Sequence, residues 1–71
     1  MKPNGSMIRG VRVGRGLSLP ELEAKTGLNR GYLSRMERGH IQEVGSEQVR
    51  RVAKALRVSE DLLTETEEST P

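Results

Sequence analysis

Apolar residues recur along this chain at helical spacing. Val52, Ala53 and Leu56 lie three, four and seven positions after Val49, one stripe of an amphipathic helix that Ser46 is placed to cap. Leu33 and Met36 continue a stripe begun by Leu28 and predict a helix over Arg30–Arg38, capped by Asn29 and stopped by Gly39. Before it, Ser18-Leu-Pro-Glu21 has the form of a capping box with proline in the permissive first turn. That helix is expected to run to Thr26 with Leu22 inward, and Gly27 supplies the left-handed residue of a tight turn. A first helix is expected over about Met7–Arg15, with Ile8 and Val11 inward, Arg9, Arg12 and Arg15 alongside, and Gly16 ending it. Gly10 and Gly14 weaken it by roughly 1 kcal/mol each relative to alanine, so it needs tertiary packing. His40–Gly45 reads as a loop, and Ser59 is placed to cap a short last helix closed by Leu62 and Leu63.

Met1–Ser6 has no periodicity and is expected to be disordered; Gly5-Ser6-Met7 also has the form of a cloning junction ahead of a start at Met7. Residues 65–71 are acidic and polar, an expected disordered tail, which leaves one domain over residues 7–64. A chain of this size buries only about 60% of its unfolded surface, so each apolar residue matters. With no Trp or Phe and one Tyr, the core has to be aliphatic, and the β-branched and aromatic runs of strands are missing. The pattern predicts an all-α bundle.

Charge changes the picture. The net charge is only +2, but residues 1–40 hold eight Lys/Arg against three Glu, while residues 41–71 hold four against seven acidic residues. A basic front half and an acidic tail point to one face that meets polyanions; solvated helix faces would give the same balance. With no cysteine and a lone histidine, disulfides, a thiol nucleophile and a Cys- or His-based metal site are excluded. No nucleophile–base pair or phosphate loop is visible, so no enzymatic activity, cofactor or small-molecule ligand is expected. The absence of an apolar run of membrane-spanning length and of a charged leader predicts a cytoplasmic protein, associated with the nucleoid if it binds DNA.

Two helices joined by a short Gly-containing turn meet at about 90–120°. With Leu22, Leu28, Leu33 and Met36 pinning the second helix, Arg30, Gly31, Ser34, Arg35 and Arg38 are left to point outward. Arg30 and Arg35 are five residues apart, about 500° of rotation, and so are offset by roughly 140°. Arg35, nearer the helix middle, is placed for the paired acceptors of guanine. Three arginines could equally serve only to keep the helix soluble.

The stretches Gly16-Leu17-Ser18, Thr26-Gly27-Leu28, Tyr32-Leu33-Ser34-Arg35-Met36-Glu37-Arg38-Gly39 and Val52-Ala53-Lys54-Ala55-Leu56, with Ile8, Arg9, Arg12 and Leu22, resemble the lambda-repressor-like (Xre or Cro/C1 type) helix-turn-helix family. The resemblance covers about residues 7–64. It implies a compact five-helix bundle whose helices two and three form the helix-turn-helix, with the third reading an inverted repeat in double-stranded DNA as part of a homodimer. By that resemblance Arg30, Gly31, Tyr32 and Arg35 fall at base-reading positions. Ser18, Leu19 (through its N–H), Asn29, Ser34 and Arg38 fall at phosphate positions, and His40 is either a phosphate contact or a plain loop residue. Arg12 and Glu37 match a structural ion pair.

Three departures stand out. Glu23 replaces a customary alanine at the helix crossing, Gly31 offers no side chain for readout, and the loop after Gly39 is about one residue longer and lacks a proline. The expected function is a sequence-specific DNA-binding regulator, a repressor of phage or mobile-element type. An excisionase-like or antitoxin-type accessory protein and a protein-interaction module are the alternatives, and Leu62 and Leu63 are either a dimer seam or core.

Overall fold

Ten side chains, Ile8, Leu22, Leu33, Met36, Val44, Val49, Val52, Ala53, Leu56 and Leu63, close into one aliphatic core in the computed structural model, which describes residues 1–65. Four α-helices supply most of it: α1 (Gly5–Gly14), α2 (Leu19–Thr26), α3 (Arg30–Glu37) and α4 (Ser46–Leu56). A one-turn 3₁₀ helix, Glu60–Leu63, follows, and two-residue strands β1 (Lys2–Pro3) and β2 (Thr64–Glu65) pair antiparallel. α3 packs on α1 and α2, while α4 packs on α2 and the 3₁₀ turn. No helix among the described residues is long and apolar enough to cross a membrane.

The expected fifth α-helix is this 3₁₀ turn. Its four residues are too few to propagate a nucleated helix, and the Ser59 side chain makes no capping bond. Leu63 is buried, whereas Leu62 is 40% exposed. The cap of α4 is Gly45 rather than Ser46, again with no side-chain capping bond. Val44 is buried just before it, which commits the chain one residue earlier than the serine signal indicates.

The larger correction concerns residues 1–6, expected to be disordered. Asn4 caps α1, its Oδ1 accepting the Met7 N–H at 3.2 Å, so the helix begins two residues before Met7. The Asn4 N–H donates to the Leu63 carbonyl at 2.8 Å, and Lys2 and Pro3 pair with Glu65 and Thr64. Met1 completes the strap through its amino group on Glu43 and its carbonyl, which accepts the Val44 N–H at 2.8 Å. Gly5 is buried where α1 meets the end of α3: a Cβ there would lie 2.6 Å from the Glu37 carbonyl oxygen and still nearer that of Met36. Of the expected acidic tail, Glu65 lies in β2, and residues 66–71 lie outside the described residues.

Candidate nucleic-acid interface

Each device of the α2–α3 unit is local. Ser18 Oγ accepts the Glu21 N–H at 3.2 Å, and a Glu21 carboxylate oxygen accepts the Ser18 N–H at 2.8 Å, closing a capping box. The Ser18 N–H and its hydroxyl hold the Glu21 carboxyl below the usual glutamate range. At the other end Gly27 takes φ +77°, a conformation closed to most L-residues, and its N–H donates to the Glu23 carbonyl at 2.8 Å. Buried Thr26 ties the turn: its hydroxyl donates to the Leu22 carbonyl at 2.8 Å and accepts the Leu28 N–H at 3.1 Å. Asn29 Oδ1 then accepts the N–H groups of Gly31 (2.7 Å) and Tyr32 (3.4 Å), capping α3.

Leu33 and Met36 bury the inner face of α3, and Tyr32 is half-buried against the same core. Arg30, Gly31, Arg35 and Arg38 are exposed, and Ser34 is half-buried. Gly31 presents backbone only, and a Cβ there would stand 2.9 Å from the capping oxygen of Asn29. His40 is exposed beyond the helix, its N–H closing the last turn on the Arg35 carbonyl at 2.9 Å. Among the described residues Arg35, Arg38 and His40 have no carboxylate within salt-bridge distance.

A bidentate pair fixes the far end of α3. Arg12 Nε donates to Glu37 Oε2 at 2.6 Å and Nη2 to Oε1 at 3.0 Å, while Nη1 reaches the Leu17 carbonyl at 2.8 Å. The Arg12 guanidinium is held above its ordinary value by the hydrogen bond to Glu37, against the opposing effect of burial and with help from the Glu37 charge. Beside the pair, Arg9, Arg12, Leu19, Ser34, Glu37 and Arg38 line an open cleft of about 350 Å³ between α1, the start of α2 and the end of α3. Three arginines thus line a cleft at the N-terminus of a helix, and the one carboxylate of that cleft is already paired with Arg12. That arrangement favours an anion.

Of the sequence-predicted residues, the cleft brings together Leu19, Ser34, Arg38, Arg12 and Glu37. Arg30, Gly31 and Tyr32 lie on the first turn of α3, and Arg35 lies past its middle. Two residues to which the sequence assigned no contact belong to the surface. Arg9, three positions before Arg12 and so on the same side of α1, joins the cleft. Glu23, noted only as a departure, bonds Arg30 across the turn. Arg15, exposed at the C-cap of α1, also ties α1 to the end of α4, its Nε donating to the Leu56 carbonyl at 2.8 Å.

A capped helix, a left-handed glycine and a second helix with one buried and one basic face define a helix-turn-helix module. The chain belongs to the helix-turn-helix family, whose model matches residues 8–63. It is 37% identical over 59 residues to an HTH-type transcriptional regulator of Mycobacterium tuberculosis, itself uncharacterized, covering 83% of this chain and 41% of that protein. The chain therefore spans less than half the length of that relative. The structure is similar to the N-terminal DNA-binding domain of SinR from Bacillus subtilis (35% identity, TM-score 0.78, 90% of this chain and 94% of that one). SinR, the master regulator for biofilm formation, has also been solved in complex with DNA (33% identity, TM-score 0.77, 80% and 90% coverage). The restriction-modification controller protein C.AhdI from Aeromonas hydrophila is comparably similar (31% identity, TM-score 0.76, 82% and 86% coverage).

Proposed function

We propose that this chain binds double-stranded DNA sequence-specifically, with α3 in the major groove, and works at the nucleoid as a transcriptional repressor of phage or mobile-element type. The observation that carries the reading is the outward face of α3. Its buried side is used by Leu33, Met36 and Glu37, which leaves Arg30 and Arg35 on the helix and Arg38 at its C-cap as exposed cations. Arg35 reads a base edge, joined by the first turn at Arg30, Gly31 and Tyr32. Arg38, Ser34, Asn29, Ser18, the Leu19 N–H and His40 hold phosphates and set the register. SinR, a relative at 33% identity, has been solved on DNA, which supports the same use of this fold here.

One module offers few base contacts, so two copies on an inverted repeat with half-sites about 34–36 Å apart give the specificity a regulator needs. Leu62, exposed beside the buried Leu63, is the seam assigned to that dimer. Selection from a random DNA pool, followed by gel shifts, tests the reading. Arg35→Ala relaxes one base position, whereas Arg38→Ala weakens all sequences alike and lowers the salt slope by about one. Identical behaviour of the two variants, or a pool that yields no preferred sequence, overturns it.

A further inference from the structure

Glu23 stands where α2 crosses α3, and both of its carboxylate oxygens are engaged by one residue. Oε2 accepts the backbone N–H of Arg30 at 3.2 Å and Oε1 accepts Arg30 Nε at 3.0 Å. The first bond satisfies the leading donor of α3, and Asn29 satisfies the next two, so the start of this helix offers no N–H among these three to a phosphate. The second bond holds the guanidinium by its inner nitrogen. The outer edge, with both terminal NH₂ groups, has no partner among the described residues. The Arg30 side chain is 59% exposed against 30% for Glu23, so the free edge faces outward while the carboxylate sits behind it.

An unrestrained arginine beside DNA divides itself between phosphates, which attract any cation, and base edges, which demand two donors in one plane. A carboxylate on Nε acts oppositely on the two. It cancels much of the charge that a phosphate senses, and it fixes the plane of the edge that pairs with guanine O6 and N7. We propose that Glu23 is the positioning residue that sets specificity at the base read by Arg30, holding that arginine for guanine and against the backbone. The inference rests on the DNA-binding reading above and adds to it a residue and a base.

The test uses the full chain with Arg30→Ala, Glu23→Ala and Glu23→Gln, each put through random-pool selection. Titrations then follow on the selected site, its single-base variants and unrelated duplex at two salt concentrations. Arg30→Ala identifies the base position. At that position Glu23→Ala is expected to lose about tenfold in discrimination, while binding unrelated DNA more tightly and with a salt slope steeper by about one. A purely structural role would weaken binding to every sequence together. Should Glu23→Ala fail to fold, Glu23→Gln, which keeps an acceptor but loses the charge, is judged by the same criterion. Retained discrimination at the position Arg30→Ala relaxes, or a uniform loss across sequences, overturns the proposal. A wild type that selects a sequence while Arg30→Ala relaxes no position overturns this proposal alone; a wild type that selects nothing removes the DNA-binding reading as well.

Discussion

The two ends of α3 are each tied to another helix by an arginine–glutamate pair, and the pairs differ in almost everything but chemistry. At the C-terminal end Arg12 and Glu37 are 12% and 5% exposed and meet in a bidentate fork. At the N-terminal end Arg30 and Glu23 are 59% and 30% exposed and meet through one side-chain bond. A pair withdrawn from water is costly to break, because the surviving charge is left without solvent or partner. A pair in water is nearly neutral for stability, and here the outer NH₂ groups of its arginine remain open to something arriving from outside. Burial, more than pairing, therefore divides the helix into an anchored end and an exposed one.

The largest expected effect follows at the anchored end. Glu37→Ala leaves the Arg12 guanidinium part-buried and uncompensated and should cost about 3 kcal/mol. For a domain of this size that lowers the thermal midpoint by roughly 15 °C. Scanning calorimetry checks it, and the double variant Arg12→Met/Glu37→Leu is expected to recover most of the loss, since two apolar residues leave no orphaned charge. A small effect of Glu37→Ala would erase the distinction between the two ends.

Gly5→Ala probes the same end from the other side. The added methyl would press on the Met36 and Glu37 carbonyls, which are backbone and cannot swing away. A loss of about 1–3 kcal/mol in urea unfolding is expected. Tolerance of alanine would mean that the lead into α1 does not bear on α3.

Legibility in the sequence followed locality. The capping box, the left-handed Gly27 and the Asn29 cap are bonds between residues at most four apart, and a pattern of residue types specifies them. The strap did not announce itself, because Lys2 and Pro3 carry no periodicity and their partners, Glu65 and Thr64, lie at the other end of the chain. Ser59 has the right residue type for a cap, but the length of segment it could begin was decided by tertiary packing of Leu63. At the candidate site, the spacing of Leu33 and Met36 implied which face of α3 is outward. The resemblance supplied roles for the side chains on it. The Glu23–Arg30 bond was not legible, since it spans a turn whose angle brings residues seven apart together. The Arg15 bond was hidden for another reason: its target is a backbone carbonyl that no residue code displays.

At the open end, Asn29→Ala removes the acceptor for two leading N–H groups of α3 and should cost about 1 kcal/mol, less than either change at the anchored end. Amide exchange is expected to quicken at Gly31 and Tyr32 while Leu33 stays protected; equal acceleration along the helix would show that the end is not separable. The start of α2 responds to pH in the same graded way. Folding lowers the Glu21 carboxyl below its usual range, so the capping box stabilises the fold above the unfolded-state value of about 4.3 and loses that contribution as pH falls through the lower, folded value. Thermal midpoints measured on descending from pH 6 should fall less steeply for Glu21→Gln than for the wild type.

The smallest stability effect is expected where the functional effect is expected to be largest. Glu23→Ala breaks an ion pair that water already screens, and the Arg30 N–H it exposes can bond to solvent instead. The unfolding free energy should change by less than about 0.5 kcal/mol, near the middle of the range for exposed pairs, which a urea midpoint compared with that of Glu37→Ala resolves. A loss approaching the one at Glu37 would mean that both ends of α3 are anchors and that Glu23 serves the fold. A negligible loss leaves the carboxylate without a structural reason to stand at a helix crossing. Its two bonds to Arg30 are then best accounted for by what the outer edge of that arginine is held to meet.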